Sequence, residues 1–167
     1  MKISRFGLTV AAAFAVGVIA APAYAQVTGG PFQYFAVTPC RLVDTRNANG
    51  PQGGPAISGQ TFRSFPIAGL CGVPTTAQAA TLNVTTVATT GGGHTTIWPA
   101  GATMPVVSTS NFQAGEPAIA NGAIVPLAAY NPLIPGDPTS NASISVFLGI
   151  GAPFSAHIVL DVTGYFQ

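Results

Sequence analysis

The chain has 167 residues and only 5% charged side chains, five lysines and arginines against four acids, so it has too few cations to neutralise a run of phosphates. Nucleic acid and anionic membrane surfaces are poor partners for it. Its 48% hydrophobic content argues equally against a disordered chain.

A basic patch (Lys2, Arg5), an apolar run from Phe6 to Ala21 and the small residues of Ala23-Tyr24-Ala25 form the parts of a secretory signal, with cleavage predicted between Ala25 and Gln26. No cysteine near that point suggests a lipoprotein. Removing residues 1–25 from the 167 leaves 142, enough for one domain with its own core and without a membrane span. The expected location is secreted: extracellular, at the cell surface, or periplasmic. Arg41, Arg46 and Arg63 then face Asp44, Glu116, Asp137 and Asp161, a formal net charge of −1 with no lysine. Soluble domains usually carry about 25% charged residues; this one solvates itself with hydroxyls and amides.

Residues 26–32 read as a flexible leader, and 33–167 as a single domain. Tyr34 to Thr38 has strand character and is expected to stop at Pro39, which has no N–H for a ladder. Arg41 to Thr45 follows as a second short strand. Residues 47–59, with Asn49-Gly50-Pro51, Gly53-Gly54-Pro55 and Ser58-Gly59, are a loop by their punctuation. Thr61 to Ile67 is an imperfect edge-type strand, and residues 69–74 turn the chain and present Cys71. From Ala80 to Ala88, Leu82, Val84, Thr86 and Ala88 share one face, the period of a strand packed on a core. Gly91-Gly92-Gly93 then reads as the turn into a hairpin partner, Thr95 to Trp98.

Val106 to Phe112 is the next strand. Within Ala118 to Leu127, Asn121-Gly122 is either a tight turn or part of a glycine-weakened strand. The prolines of 131–141 make a loop. Ser143 to Leu148 puts Ile144, Val146 and Leu148 on one face, and the last strand, Phe154 to Phe166, puts Ile158, Leu160, Val162 and Phe166 inward. No segment carries helical periodicity with caps. The whole predicts an all-β antiparallel sandwich of about eight to ten short strands.

Cys40 and Cys71 are the only cysteines, and export brings them to an oxidising compartment where they are expected to pair. Closing a loop of about 31 residues stabilises by about 3 to 4 kcal/mol in the chain-entropy model.

Five stretches then stand in order: Pro39-Cys40-Arg41-Leu42-Val43-Asp44-Thr45-Arg46, Cys71-Gly72-Val73-Pro74, Leu82-Asn83-Val84-Thr85, Asn111-Phe112-x-x-Gly115 and Leu160-Asp161-Val162-x-Gly164-Tyr165-Phe166. Together they resemble the signatures of a β domain that recurs in secreted and cell-surface proteins of bacteria, often appended to other modules. The resemblance spans nearly all of the mature chain. It implies an extracellular β domain and no particular reaction.

Arg41, Asp44, Arg46 and Asp161 are the best constellation for chemistry. Four charges on two strand-like segments of a charge-poor chain are expected to pair as a structural clasp between first and last strands, since an unpaired buried charge is costly. A ligand carboxylate or sugar held by the arginines is the alternative. His157 and Asp161, four apart on a strand, are separated by about 13 Å, too far for the hydrogen bond of a triad. There is no Gly-x-Ser-x-Gly elbow. His94 reads as an exposed turn residue, Glu116 and Asp137 as ordinary turn acids before prolines, and no acidic run suggests calcium. Trp98, with Tyr34, Tyr130 and Tyr165, is either core packing or a sugar-stacking platform. Trp98 and the loop residues Asn49 and Gln52 are the candidate ligand-facing side chains. Asn83-Val84-Thr85 and Asn141-Ala142-Ser143 match short glycosylation sequons. The expected function is a non-catalytic structural or surface protein, self-associating, without metal or cofactor; the alternative is a module that binds carbohydrate or cell envelope.

Overall fold

The computed structural model describes residues 29–129 and 144–167. The signal, the first residues of the leader, Tyr130, the 131–141 loop and the second sequon lie outside the described residues. Within them the chain forms nine strands and no helix: β1 Tyr34–Asp44, β2 Ile57–Ser58, β3 Thr61–Phe65, β4 Ala79–Val87, β5 Gly93–Pro99, β6 Ser110–Phe112, β7 Ala118–Pro126, β8 Ile144–Gly149 and β9 Ser155–Phe166.

Two antiparallel sheets pack face to face. One runs β1-β9-β4-β7, with the short β2 also on β9; the other runs β3-β8-β5-β6. Period-two patterning explains the core. Ala80, Leu82, Val84 and Thr86 of β4 are buried while their neighbours stay half exposed. Ile144, Val146 and Leu148 of β8 are fully buried and join Leu82, Val84, Ile158, Leu160 and Val162 in one apolar cluster. Burying side chains of this size contributes about 1.5 to 3 kcal/mol each.

Pro39 does not end the first strand. β1 continues through it, and its register against β9 breaks between Ala36 and Cys40 and again between Arg41 and Val43. At the outer edge of a sheet the missing N–H breaks no ladder, and the bulge absorbs the fixed proline backbone. The second break lets Leu42 and Val43, consecutive residues, both reach the core. Ahead of β1, Gln33 and Gln167 exchange backbone hydrogen bonds of 2.8 and 3.0 Å, so the two ends of the domain lie side by side.

Gly91-Gly92-Gly93 does not make a hairpin. β4 is already paired on both sides, with β9 and β7, so the glycines carry the chain across to the second sheet, where β5 pairs with β8 and β6. Gly93 comes so close to the Gly149 carbonyl that a Cβ has no room. The strand expected over Val106 to Phe112 is only Ser110–Phe112. Before it, the Thr96 hydroxyl donates to the Val107 carbonyl at 2.6 Å and the Ile97 amide to Thr109 Oγ1 at 3.1 Å. Side-chain hydroxyls there supplement a single backbone bond, from the Thr109 amide to the Thr95 carbonyl at 2.7 Å.

Asn121-Gly122 lies inside β7, opposite Val84 and Asn83. Near the end of β9, Thr81 faces Gly164 while Leu82 faces Val162, so Thr163 is an extra residue. That bulge reverses the alternation: Tyr165, not Phe166, packs against the core.

Candidate functional site

The charged residues of the first and last strands converge. β1 and β9 put Arg41 directly opposite Asp161, and its guanidinium grips the carboxylate with two bonds, Nε to Oδ1 at 2.8 Å and Nη2 to Oδ2 at 3.3 Å. The third group, Nη1, reaches Asp44 Oδ2 at 3.3 Å. Arg46 closes on the same carboxylate, Nε to Oδ1 at 2.8 Å and Nη2 to Oδ2 at 2.6 Å, and its backbone amide adds a bond to Oδ1. Asp44 therefore serves two guanidiniums and a peptide N–H. The Arg46 side-chain hydrogen bonds, helped by that N–H and both positive charges, hold its carboxyl at about 2 although burial opposes the charged form. The same partners raise Arg41 and Arg46 above the ordinary guanidinium value, Arg41 chiefly through Asp161 and Arg46 through Asp44.

One residue before Arg41, Cys40 forms a disulfide with Cys71, with Cα atoms 5.8 Å apart. β1 is thereby bound sideways to β9 by charge and covalently to the turn after β3. Asp44 has its oxygens occupied by donors, which suits a clasp and not a proton-transferring acid. Beside it, Thr45 is buried, accepts a bond from the Ile158 amide at 2.9 Å and lies 3.1 Å from His157 Nδ1. His157 is thus bonded to a hydroxyl that solvent does not reach. His94 is not a turn residue: it belongs to β5, opposite Gly149, with its ring 6.1 Å from that of Phe147.

The glycine and proline loop at 47–59 is tightly built. Asn47 donates its amide to the Asp44 carbonyl, Gly54 to Asn47 and Ala48, and the Gln52 carbonyl accepts the Asp44 amide at 2.9 Å. Gly54 is packed against the Asn47 carbonyl and the Asn49 side chain, a closeness that excludes any side chain at this position. From β3, Arg63 reaches under the loop: Nη1 donates to the carbonyls of Gly53 at 2.9 Å and Pro55 at 2.6 Å, and Nη2 to that of Gly50 at 3.1 Å. Its guanidinium carbon stands 5.0 Å from the centre of the Phe65 ring, and burial lowers its pKa.

A shallow depression of about 520 Å³ opens above this loop, lined by Asn49, Pro51, Pro55, Phe62, Arg63 and Ser64 among others. Asn49 is exposed on its wall. Gln52 is half-buried, and its carbonyl is engaged below. Trp98 is not ligand-facing: it is 5% exposed, and its indole N–H donates to the Ala102 carbonyl at 3.0 Å. The segment after β5 folds back over it, which strand alternation alone does not reveal. The exposed ring is Phe62, 59% accessible, braced edge-on by Trp98 at 5.7 Å. Tyr34 and Tyr165 sit elsewhere, paired with Phe166 and Phe35 across β1 and β9. The sequence reading missed two participants, Phe62 and Arg63. The available signal for Arg63 was only its scarcity, one arginine close after the loop in a chain almost without charge.

Among the described residues no three His, Cys, Asp or Glu side chains cluster as metal ligands. No family model, curated protein or solved structure matches this chain.

Proposed function

We propose that this is a non-catalytic extracellular structural or cell-surface protein that associates with itself. The observation that carries the reading is β7. Among the described residues it is the outermost strand of its sheet, nine residues long, with no charge, no bulge and no proline before its last position. Open strands of this kind template the addition of another strand, and proteins that stay apart usually blunt them with charge, proline or a bulge. The secretory signal pattern and the disulfide support an oxidising location outside the cytoplasm. The test is light scattering after size exclusion on the oxidised chain from Gln26 onward, over a concentration series. Mass that rises with concentration is expected; a strict monomer throughout refutes self-association.

Phe62 favours a second reading, a carbohydrate or cell-envelope module. An exposed ring in one depression with the exposed Asn49 amide offers a stacking face and a polar group of the kind a sugar uses. Retention on a panel of polysaccharides and peptidoglycan, lost in Phe62→Ala, is the expected result. Equal retention of parent and variant counts against this site.

A further inference from the structure

The phase of the β4–β7 ladder is set by its flanking bonds, Ala88 N–H to Pro117 O at 3.1 Å and Leu127 N–H to Gln78 O at 2.8 Å. Antiparallel pairs alternate between bonded and non-bonded. With the observed register, Ile119, Asn121, Ala123 and Val125 therefore bond to β4, while the amides and carbonyls of Ala118, Ala120, Gly122 and Ile124 point away from it. Among the described residues no strand pairs with that side. Ala118, Ala120 and Ile124 turn their side chains to the outer face of the sheet, where Gly122 lies opposite Asn83, and Ile124 is 66% exposed there.

We propose that this edge binds a second copy of the same edge, antiparallel, about a twofold axis through Gly122, and that assembly stops at the dimer. The proposal rests on the self-association reading above. In a continuous antiparallel sheet, opposed residues must share a face and bond outward, so the outward-bonding residues must meet one another. Gly122 is the midpoint of Ala118–Pro126, and only a register centred on it overlaps the strand end to end. It sets Gly122 against Gly122, Ala120 against Ile124 and Ala118 against Pro126, with no charge anywhere in the seam. From Ala120 to Ile124 donors and acceptors are self-complementary, each residue offering one N–H and one C=O; at the ends Pro126 has no N–H and only accepts from Ala118. The two four-strand runs β1-β9-β4-β7 become one sheet of eight.

Closure follows from the opposite edge. β1 carries Pro39, two register breaks and the half-exposed Arg41, and it is stapled to Cys71. These are the devices that deter strand addition. Within this sheet, one receptive edge and one blocked edge give an isologous pair and no continuing run of strands.

The test uses charge at the axis. A Cβ at Gly122 meets no heavy atom within 4 Å, so side chains there leave the monomer intact. Gly122→Lys and Gly122→Asp each place like charges directly opposite one another and are expected to weaken dimerisation about fivefold or more. An equimolar mixture of the two restores a dimer, and Gly122→Thr retains it. Far-ultraviolet circular dichroism and the unfolding midpoint of each variant confirm the fold. A wild-type chain that stays monomeric up to about 1 mM overturns both the proposal and the self-association reading. Association that Gly122→Lys leaves unchanged overturns this seam alone, and mass growing past the dimer overturns the closure.

Discussion

Replacing Asp44 by Asn removes the charge that both arginines of the clasp share while keeping an oxygen for the Arg46 amide. The Asp44 carboxyl titrates at about 2 in the fold against 3.8 for a free aspartate. At about 1.4 kcal/mol for each tenfold change in proton affinity, the difference is worth at most about 2 to 3 kcal/mol. The Asp44 side chain is 7% exposed, but Arg41 and Arg46 are 51% and 46% exposed, so solvent screens the network and the expected loss falls to about 1 kcal/mol. The sign follows from the lowered value: the carboxylate stabilises the fold fully above 3.8, and the contribution disappears as the pH falls through about 2. Urea unfolding of parent and Asp44→Asn near neutral pH should show the gap, and the gap should close at about pH 2. Comparing the two proteins at each pH cancels the titration of the other acids. A gap that is absent at neutral pH, or that persists unchanged at about pH 2, refutes the assignment of Asp44 as the centre of the clasp.

Other perturbations probe the rest of the frame. Cys40→Ser with Cys71→Ser is expected to lower stability by about 3 to 4 kcal/mol, read as the fall in unfolding free energy against the oxidised parent. Thr86 is fully buried in β4 and its hydroxyl has no hydrogen-bond partner among the described residues, so Thr86→Val should raise stability by about 1 kcal/mol; a loss would mean the hydroxyl is bonded. Arg63→Lys keeps the charge but not the planar fork that three carbonyls share, and should cost about 2 kcal/mol and speed proteolysis within 47–59. An unchanged cleavage rate would show that the loop holds its shape without Arg63.

The strands that pair on both sides were the most readable. β4, β8 and most of β9 carry period two because each sets one face on the core, and nothing local competes with that signal. Connectivity was harder. A run of three glycines says that the chain turns but not which sheet it turns toward, and the strands of both sheets share one period. Pro39 breaks a central strand but not an edge, and edge status is decided by β9, more than a hundred residues away. In the site, the Arg41, Asp44, Arg46 and Asp161 cluster was legible because scarce charges must find one another. Arg63 was not, because its acceptors are backbone carbonyls, which any residue supplies. Trp98 and Phe62 exchanged roles for a similar reason: the cover over Trp98 comes from backbone near Ala102, and composition does not encode it.

Gln33 and Gln167 lie side by side, so a force that pulled them apart would act on β1 and β9 as on a zipper. A pull that separates the two ends loads the Tyr34–Phe166 pair first and then each following pair in turn, the weakest direction in which to stress a sheet. Peeling runs for about six residues, about 20 Å of strand, before it arrives at Cys40 and the Arg41–Asp161 grip. Beyond that point the load passes through the disulfide to Cys71, whose turn is seated on the buried Ile67 and Val73. β1 is therefore anchored at Cys40 to a part of the fold that its separation from β9 does not reach.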